Sequence, residues 1–200
     1  PVQEEVIPFL LGDDNDVIAL AQTGTGKTAA FGLPILQKID VTTYHPQALV
    51  LCPTRELCLQ IADDLNDYSK YIDNLKVLPV YGGSSIESQI KTLKRGVHVV
   101  VATPGRLLDL MNRKTVDLSL VKNVIMDEAD EMLNMGFTDS INAILAEVPE
   151  NRNMLLFSAT MPKEIANITK KYMKNPKEIV IGNKNEGNKN IRDIYYMVQA

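Results

Sequence analysis

Apolar residues gather in short, nearly continuous runs along the chain: VIAL (17–20), ALVLC (48–52), VLPVY (77–81), VHVVVA (97–102), NVIM (123–126) and MLLF (154–157). Many of these residues are β-branched. Continuous apolarity over four to six residues, rather than strict alternation, marks a strand buried on both faces, as in a parallel sheet. The intervening segments follow another rule. In ELCLQIADDLNDYSKYI (56–72), SSIESQIKTLKR (84–95), GRLLDLMNR (105–113), FTDSINAILAEV (137–148) and KEIANITKKYM (163–173) the apolar positions recur at helical spacing. Strand and helix alternate throughout, which predicts an α/β domain: a mostly parallel sheet, right-handed crossovers and helices on both faces. EIVI (178–181) reads as one further short strand.

The pattern fails near the end. GNKNEGNKN (182–190) is polar, glycine-spaced and without a hydrophobic anchor, the composition of a linker. We therefore draw one domain over 1–182 and a linker over 183–190. IRDIYYMVQA (191–200) is read as the opening strand of a second, truncated domain, the alternative being a terminal strand or helix that packs on this one. The first residue is not Met, which fits an excised piece of a longer protein.

Bulk composition narrows the class. With 200 residues, 45% hydrophobic and 23% charged, the chain has the makeup of one sizeable soluble domain. No apolar run is long enough to span a bilayer, and no basic segment precedes the apolar residues of the N-terminus, so neither a membrane helix nor a secretory signal is expected. A net charge of −4 argues against a broad basic face for nucleic acid. It leaves room for a few backbone N–H and arginine contacts to phosphate. Cys52 and Cys58 have no metal or disulfide spacing and read as apolar fillers in a reducing, cytoplasmic compartment. His45 and His98 have no ligand partners in the sequence, and the eight methionines read as core.

Chemistry enters at the strand ends. VIAL runs into AQTGTGKT, ALVLC into PTREL, VLPVY into GGSS, VHVVVA into TPGR, NVIM into DEAD, and MLLF into SAT. Ligands of open parallel sheets bind at the carboxyl ends of the strands, so all six segments should line one edge. Ala21, Gln22, Thr23, Gly24, Thr25, Gly26, Lys27 and Thr28 form a glycine-rich turn from strand to helix, whose backbone N–H groups and helix N-terminus suit phosphates. Ala21 replaces the first glycine of the usual G-x-x-x-x-G-K-[ST] pattern. Lys27 would reach the β- and γ-phosphates of a bound nucleotide, and the Thr28 hydroxyl would hold Mg²⁺. At another strand tip, Asp127 would hold the Mg²⁺ shell through water and Glu128 would orient or activate the attacking water.

DEAD at 127–130, with AQTGTGKT, PTREL, GG, TPGR and SAT in this order, resembles the first RecA-like domain of a DEAD-box ATP-dependent RNA helicase. The resemblance runs from Gln3 to about residue 182. It implies a RecA-like P-loop fold and RNA-stimulated ATP hydrolysis coupled to local duplex unwinding. Gln3, in PVQEEVIP, resembles the glutamine that reads the adenine edge. Pro53, Thr54 and Arg55, Gly82 and Gly83, and Thr103, Pro104, Gly105 and Arg106 resemble contacts to the RNA backbone, which carry no base code. Ser158 and Thr160 resemble hydroxyls that bond the acidic cluster, Asp130 included, and couple hydrolysis to strand opening. The resemblance also implies a second RecA-like domain in cis that supplies arginine fingers. The isolated chain is then expected to be a monomer that binds nucleotide weakly and hydrolyses it negligibly. An ATP-controlled RNA clamp or ribonucleoprotein scaffold without unwinding stays open as the alternative, while the ordered TPGR, DEAD and SAT set argues against a P-loop ATPase acting on DNA or protein.

Overall fold

A computed structural model of the chain describes residues 2–12, 15–22 and 24–181. The linker and second-domain readings at 183–190 and 191–200 lie outside those residues, as does Thr23. The elements run α1 (Val2–Gly12), β1 (Val17–Leu20), α2 (Lys27–Lys38), β2 (Ala48–Leu51), α3 (Arg55–Ser69), β3 (Val77–Val80), α4 (Ile86–Lys94), β4 (Val99–Ala102), α5 (Pro104–Asn112), β5 (Asn123–Met126), α6 (Ala129–Asn134), α7 (Thr138–Glu147), β6 (Asn153–Ser158), α8 (Lys163–Tyr172) and β7 (Lys177–Val180). All seven strands form one sheet in the order β3-β4-β2-β5-β6-β1-β7, and every pairing is parallel.

This order explains the layering. From β1 to β3 the chain steps along the sheet in one direction, and from β3 to β7 it steps back. Right-handed crossovers then place the connecting helices on opposite faces. Two cores result. Val17, Ala19, Val50 and Phe157 pack with Phe31 of α2 and Ile61 of α3, and Val2, Val6 and Leu10 of α1 close this side. On the other face Ile18, Leu20, Leu49 and Met126 pack with Leu107 of α5, Met132 of α6, Ile141 of α7 and Ile165 of α8. Alternate residues of one strand thus serve different cores, which is why the strands are apolar without interruption.

The edges behave differently. β3 carries Pro79 and leaves Val77 half-buried, as an edge strand permits. On the opposite edge β7 buries only Ile179. The pattern-based strand limits run long in places: Cys52 and Tyr81 lie beyond β2 and β3, and Val97 and His98 precede β4. His98 still bonds its neighbours through the backbone, its N–H donating to Lys76 O at 3.0 Å and its carbonyl accepting from Gln47 N at 2.8 Å, and its ring is held as well. Nδ1 accepts from Lys76 N at 3.0 Å, and Nε2, 3.2 Å from the Val41 carbonyl, must then carry the proton. α1 is not among the segments found by spacing, because Pro8 interrupts it and its buried face has only Val2, Val6 and Leu10. No helix among the described residues is long and apolar enough to cross a membrane.

Candidate functional site

The six chemical segments lie along the carboxyl edge of the sheet, and the strand order divides them into two groups. The loops after β1, β5 and β6 adjoin, and so do those after β3, β4 and β2.

In the first group, Ala21 N donates to Ser158 O at 3.0 Å, extending the β1–β6 pairing by one residue. The chain then turns. Gly24 and Gly26 take φ of 76° and 81°, and Thr25 Oγ1 donates to Gln22 O at 2.9 Å. Gly26 is needed for its left-handed φ, and a Cβ there would also push the Gln3 amide, 2.5 Å away, off the loop. That amide nitrogen donates to Gly26 O at 3.2 Å, which seats Gln3 of α1 on the loop. α2 starts at Lys27 with no side-chain cap. Its first N–H groups therefore face the loop without an internal acceptor, the arrangement that binds anions. Thr28, one residue on, is half-buried.

Lys27 Nζ lies 3.2 Å from Asp127 Oδ1, with the two side chains 7% and 4% exposed. Two charges so enclosed persist only by pairing. Asp127 is held from the backbone as well: its N–H donates to Leu51 O at 2.9 Å, and its Oδ1 accepts from Glu128 N at 3.0 Å. Glu128 adopts φ 50°, a left-handed conformation costly for a residue with a Cβ. Burial, and secondarily the neighbouring Asp127, push its carboxyl above the usual range. Asp130 Oδ2 accepts from both Thr160 N, at 3.0 Å, and Thr160 Oγ1, at 2.8 Å. The loop after β6 is thus tied to the start of α6. Ser158 does not share in this: its Oγ is fully buried and has no hydrogen-bond partner among the described residues. Among the described residues no group of three or more His, Cys, Asp or Glu could cage a metal ion.

The second group is built differently. Thr54 caps α3, its Oγ1 accepting from Leu57 N at 3.2 Å, so the hydroxyl is committed to the helix. Arg55 lies over the Tyr81 ring, 5.0 Å from its centroid, and its Nη1 sits 3.6 Å from where a Gly83 Cβ would be. Gly83 has φ 80°. α5 opens with Pro104 and lacks a side-chain cap, leaving Thr103 and the exposed Gly105 at an unfilled helix N-terminus. Pro53 and Pro104 are buried and shape the turns. Arg106 does not project freely. Its Nη1 and Nη2 each donate to Ser84 O at 3.2 Å, and Nη1 donates to Gln89 Oε1 at 3.1 Å. Neither arginine pairs with a described carboxylate. Motif reading missed Gln89 and Tyr81. The available signal was a glutamine three residues after Ile86, on the apolar side of α4.

A family model described as DEAD/DEAH box helicase matches residues 1–168. The ATP-dependent RNA helicase DeaD of Mycobacterium tuberculosis (strain CDC 1551 / Oshkosh) is 51% identical over 98% of this chain and 35% of its own length. The DEAD-box ATP-dependent RNA helicase CshA of Streptococcus pneumoniae serotype 4 is 54% identical over 98% of this chain and 37% of its own. The chain thus spans about a third of the curated relatives it matches. Among solved structures, a DEAD box protein from the hyperthermophile Methanococcus jannaschii superposes with a TM-score of 0.85 at 46% identity, covering 90% of this chain and 48% of that one. A hypothetical ATP-dependent RNA helicase from Sulfolobus tokodaii gives 0.81 at 45% identity, covering 90% and 52%.

Proposed function

The chain belongs to the DEAD/DEAH box helicase family, and from that premise we propose that it is the nucleotide-binding half of an ATP-dependent RNA helicase. The observation that carries this reading is the common edge. The Lys27–Asp127 pair and the Asp130–Thr160 link stand on one part of it, and three turns suited to a phosphate backbone stand on the adjoining part.

The β- and γ-phosphates of ATP lie against the N–H groups of residues 24–28, and Gln3 turns from Gly26 O to the adenine edge, where an amide can both donate and accept. Lys27 is drawn from Asp127 toward the phosphates. Thr28 and Asp127 fit Mg²⁺, a cation that keeps much of its water and seldom uses an all-protein cage. When bound there, Mg²⁺ offsets charge on the phosphate oxygens. Glu128 orients the attacking water and takes its proton. A carboxylate with a raised proton affinity does this better than an ordinary one. Thr160 holds Asp130 and carries the change in the acidic turn to the loop after β6.

RNA lies across the turns at 53–55, 82–83 and 103–106, held through its backbone and therefore without sequence code. A second RecA-like domain in cis closes the site and supplies arginine fingers. Such a finger contributes roughly 10³–10⁵ in rate, so residues 1–200 alone bind nucleotide and turn it over negligibly. The whole protein is taken to be cytoplasmic and the isolated chain monomeric.

Steady-state ATP hydrolysis tests the proposal. The full-length protein should be stimulated by single-stranded RNA and much less by DNA of the same length. Residues 1–200 should retain ADP without turnover. Equal stimulation by DNA would remove the RNA assignment. RNA-stimulated turnover by the monomeric chain alone would remove the need for a second domain.

A further inference from the structure

α4 is amphipathic, with Ile86, Ile90 and Leu93 toward the core, yet its one buried residue is Gln89, 6% exposed. An enclosed amide in the place of an aliphatic side chain breaks the local pattern, and such breaks concentrate where function needs them. Every hydrogen bond of this side chain runs to the glycine turn or to the arginine beside it. Nε2 donates to Tyr81 O at 3.1 Å and to Ser84 Oγ at 2.8 Å, while Oε1 accepts from Arg106 Nη1 at 3.1 Å. The orientation of the amide is forced. A guanidinium can only donate and a carbonyl can only accept, so the reversed amide would lose the bonds to Arg106 and to Tyr81 O.

We infer that Gln89 is a positioning residue for the RNA-backbone surface: it fixes both ends of the Gly82–Gly83 turn and sets the direction of the Arg106 guanidinium. The inference rests on the reading of this flank as an RNA site. Gly82 and Gly83 have no side chains to hold them, and a Cβ at Gly82 would touch nothing. Their order comes from Tyr81 and Ser84 on either side. Gln89 binds both, and Arg106 donates twice to Ser84 O from the opposite direction. The turn is therefore set before ligand arrives, and its exposed N–H groups need not be ordered by RNA. Preorganisation of this kind appears in affinity, because the ordering cost is already met.

Two variants of the full-length protein test the inference. Gln89→Leu removes all three bonds. Gln89→Glu keeps an acceptor for Arg106 and offers one to the Ser84 hydroxyl, but it loses the donation to Tyr81 O and with it one end of the turn. Both are expected to weaken single-stranded RNA binding roughly tenfold, to raise KM for RNA with kcat at saturating RNA unchanged, and to leave ADP affinity unchanged. Fluorescence anisotropy, RNA-dependent ATPase titrations and urea melts give these readouts. Should Gln89→Leu fail to fold, Gln89→Glu decides by itself. RNA affinity at the parent value in folded Gln89→Glu overturns the turn-fixing role. A matched loss of RNA and ADP affinity with lowered stability also overturns it, since that is a general packing defect. Arg55→Ala separates the levels: if it weakens RNA binding while the Gln89 variants do not, the inference fails alone, and if none of the three does, the RNA reading of the flank fails with it.

Discussion

On the β5-β6-β1 flank the decisive side chains are charged, enclosed and bound to one another: Lys27 to Asp127, Asp130 to Thr160, with Glu128 strained and half-buried between them. On the β3-β4-β2 flank the working surface is backbone, shaped by glycine and proline and braced from behind by Gln89 and Arg106. A ligand on the first flank meets charges already engaged with one another: Lys27 carries three donors, and a phosphate would share them with Asp127. A ligand on the second can settle against groups already in place. The same sheet edge thus joins one site of mutually paired charges and one of braced backbone, the division expected if, as proposed, nucleotide is consumed on the first and RNA held on the second.

The sharpest way to separate the flanks is Glu128→Gln. It should lower RNA-stimulated ATP turnover by about 10²–10⁴ while leaving ATP and RNA affinities near the parent values. A matched loss of nucleotide affinity would show that Glu128 binds rather than activates.

The pairing on the first flank is tested by removing one partner at a time. Lys27→Met strands a buried carboxylate, and Asp127→Leu strands a buried ammonium. Each should cost about 3–5 kcal/mol in urea melts, while the pair replaced together should recover most of that loss. Additive losses in the double variant would mean that the pair is not the unit of stability. A smaller effect belongs to the second flank. Arg55→Ala should weaken RNA binding, lower the salt slope of log Kd by about one contact, and leave nucleotide affinity unchanged.

The smallest effect concerns protons. The raised proton affinity of Glu128 in the folded state means that the fold binds more protons than the unfolded chain as pH rises from the ordinary carboxylate range. Glu128 therefore costs nothing at lower pH and becomes destabilising as pH climbs through its folded value, and the penalty remains above that. Urea melts should show Glu128→Gln equal to the parent near pH 4 and slightly more stable near pH 7.5. The opposite order would place the Glu128 carboxylate in a favourable rather than a desolvated environment. His98 supplies an internal contrast far from the edge. Burial lowers its proton affinity, so its neutral form stabilises the fold above the ordinary imidazole range and that contribution fades as pH falls.

Both flanks were legible in the sequence to different depths. Lys27 and the acidic pair were placed at the strand ends where the structure has them, because the chemistry proposed for them needs particular charged side chains there. The glycine turns and TPGR were placed at the correct strand ends, but not what holds them. Arg106, expected to face phosphate, has its guanidinium anchored on Ser84 and Gln89. The hydroxyls of SAT, expected to act together, divide: Thr160 reaches Asp130, while Ser158 is enclosed without a partner among the described residues.

The sequence by itself determined the alternation of strand and helix, the burial of the strands on both faces and the presence of chemistry at their carboxyl ends. Those features follow from periodicity, turn residues and the short-range geometry of the chain. Only the tertiary structure decided that β3, β4 and β2 adjoin and that β1 lies between β6 and β7. It alone brought Lys27 onto Asp127, Thr160 onto Asp130 and Gln89 beneath the glycine turn. The physical reason is that these contacts join residues distant in sequence, and their partners are chosen by crossover direction and by the need to satisfy buried polar groups. No local pattern carries either choice.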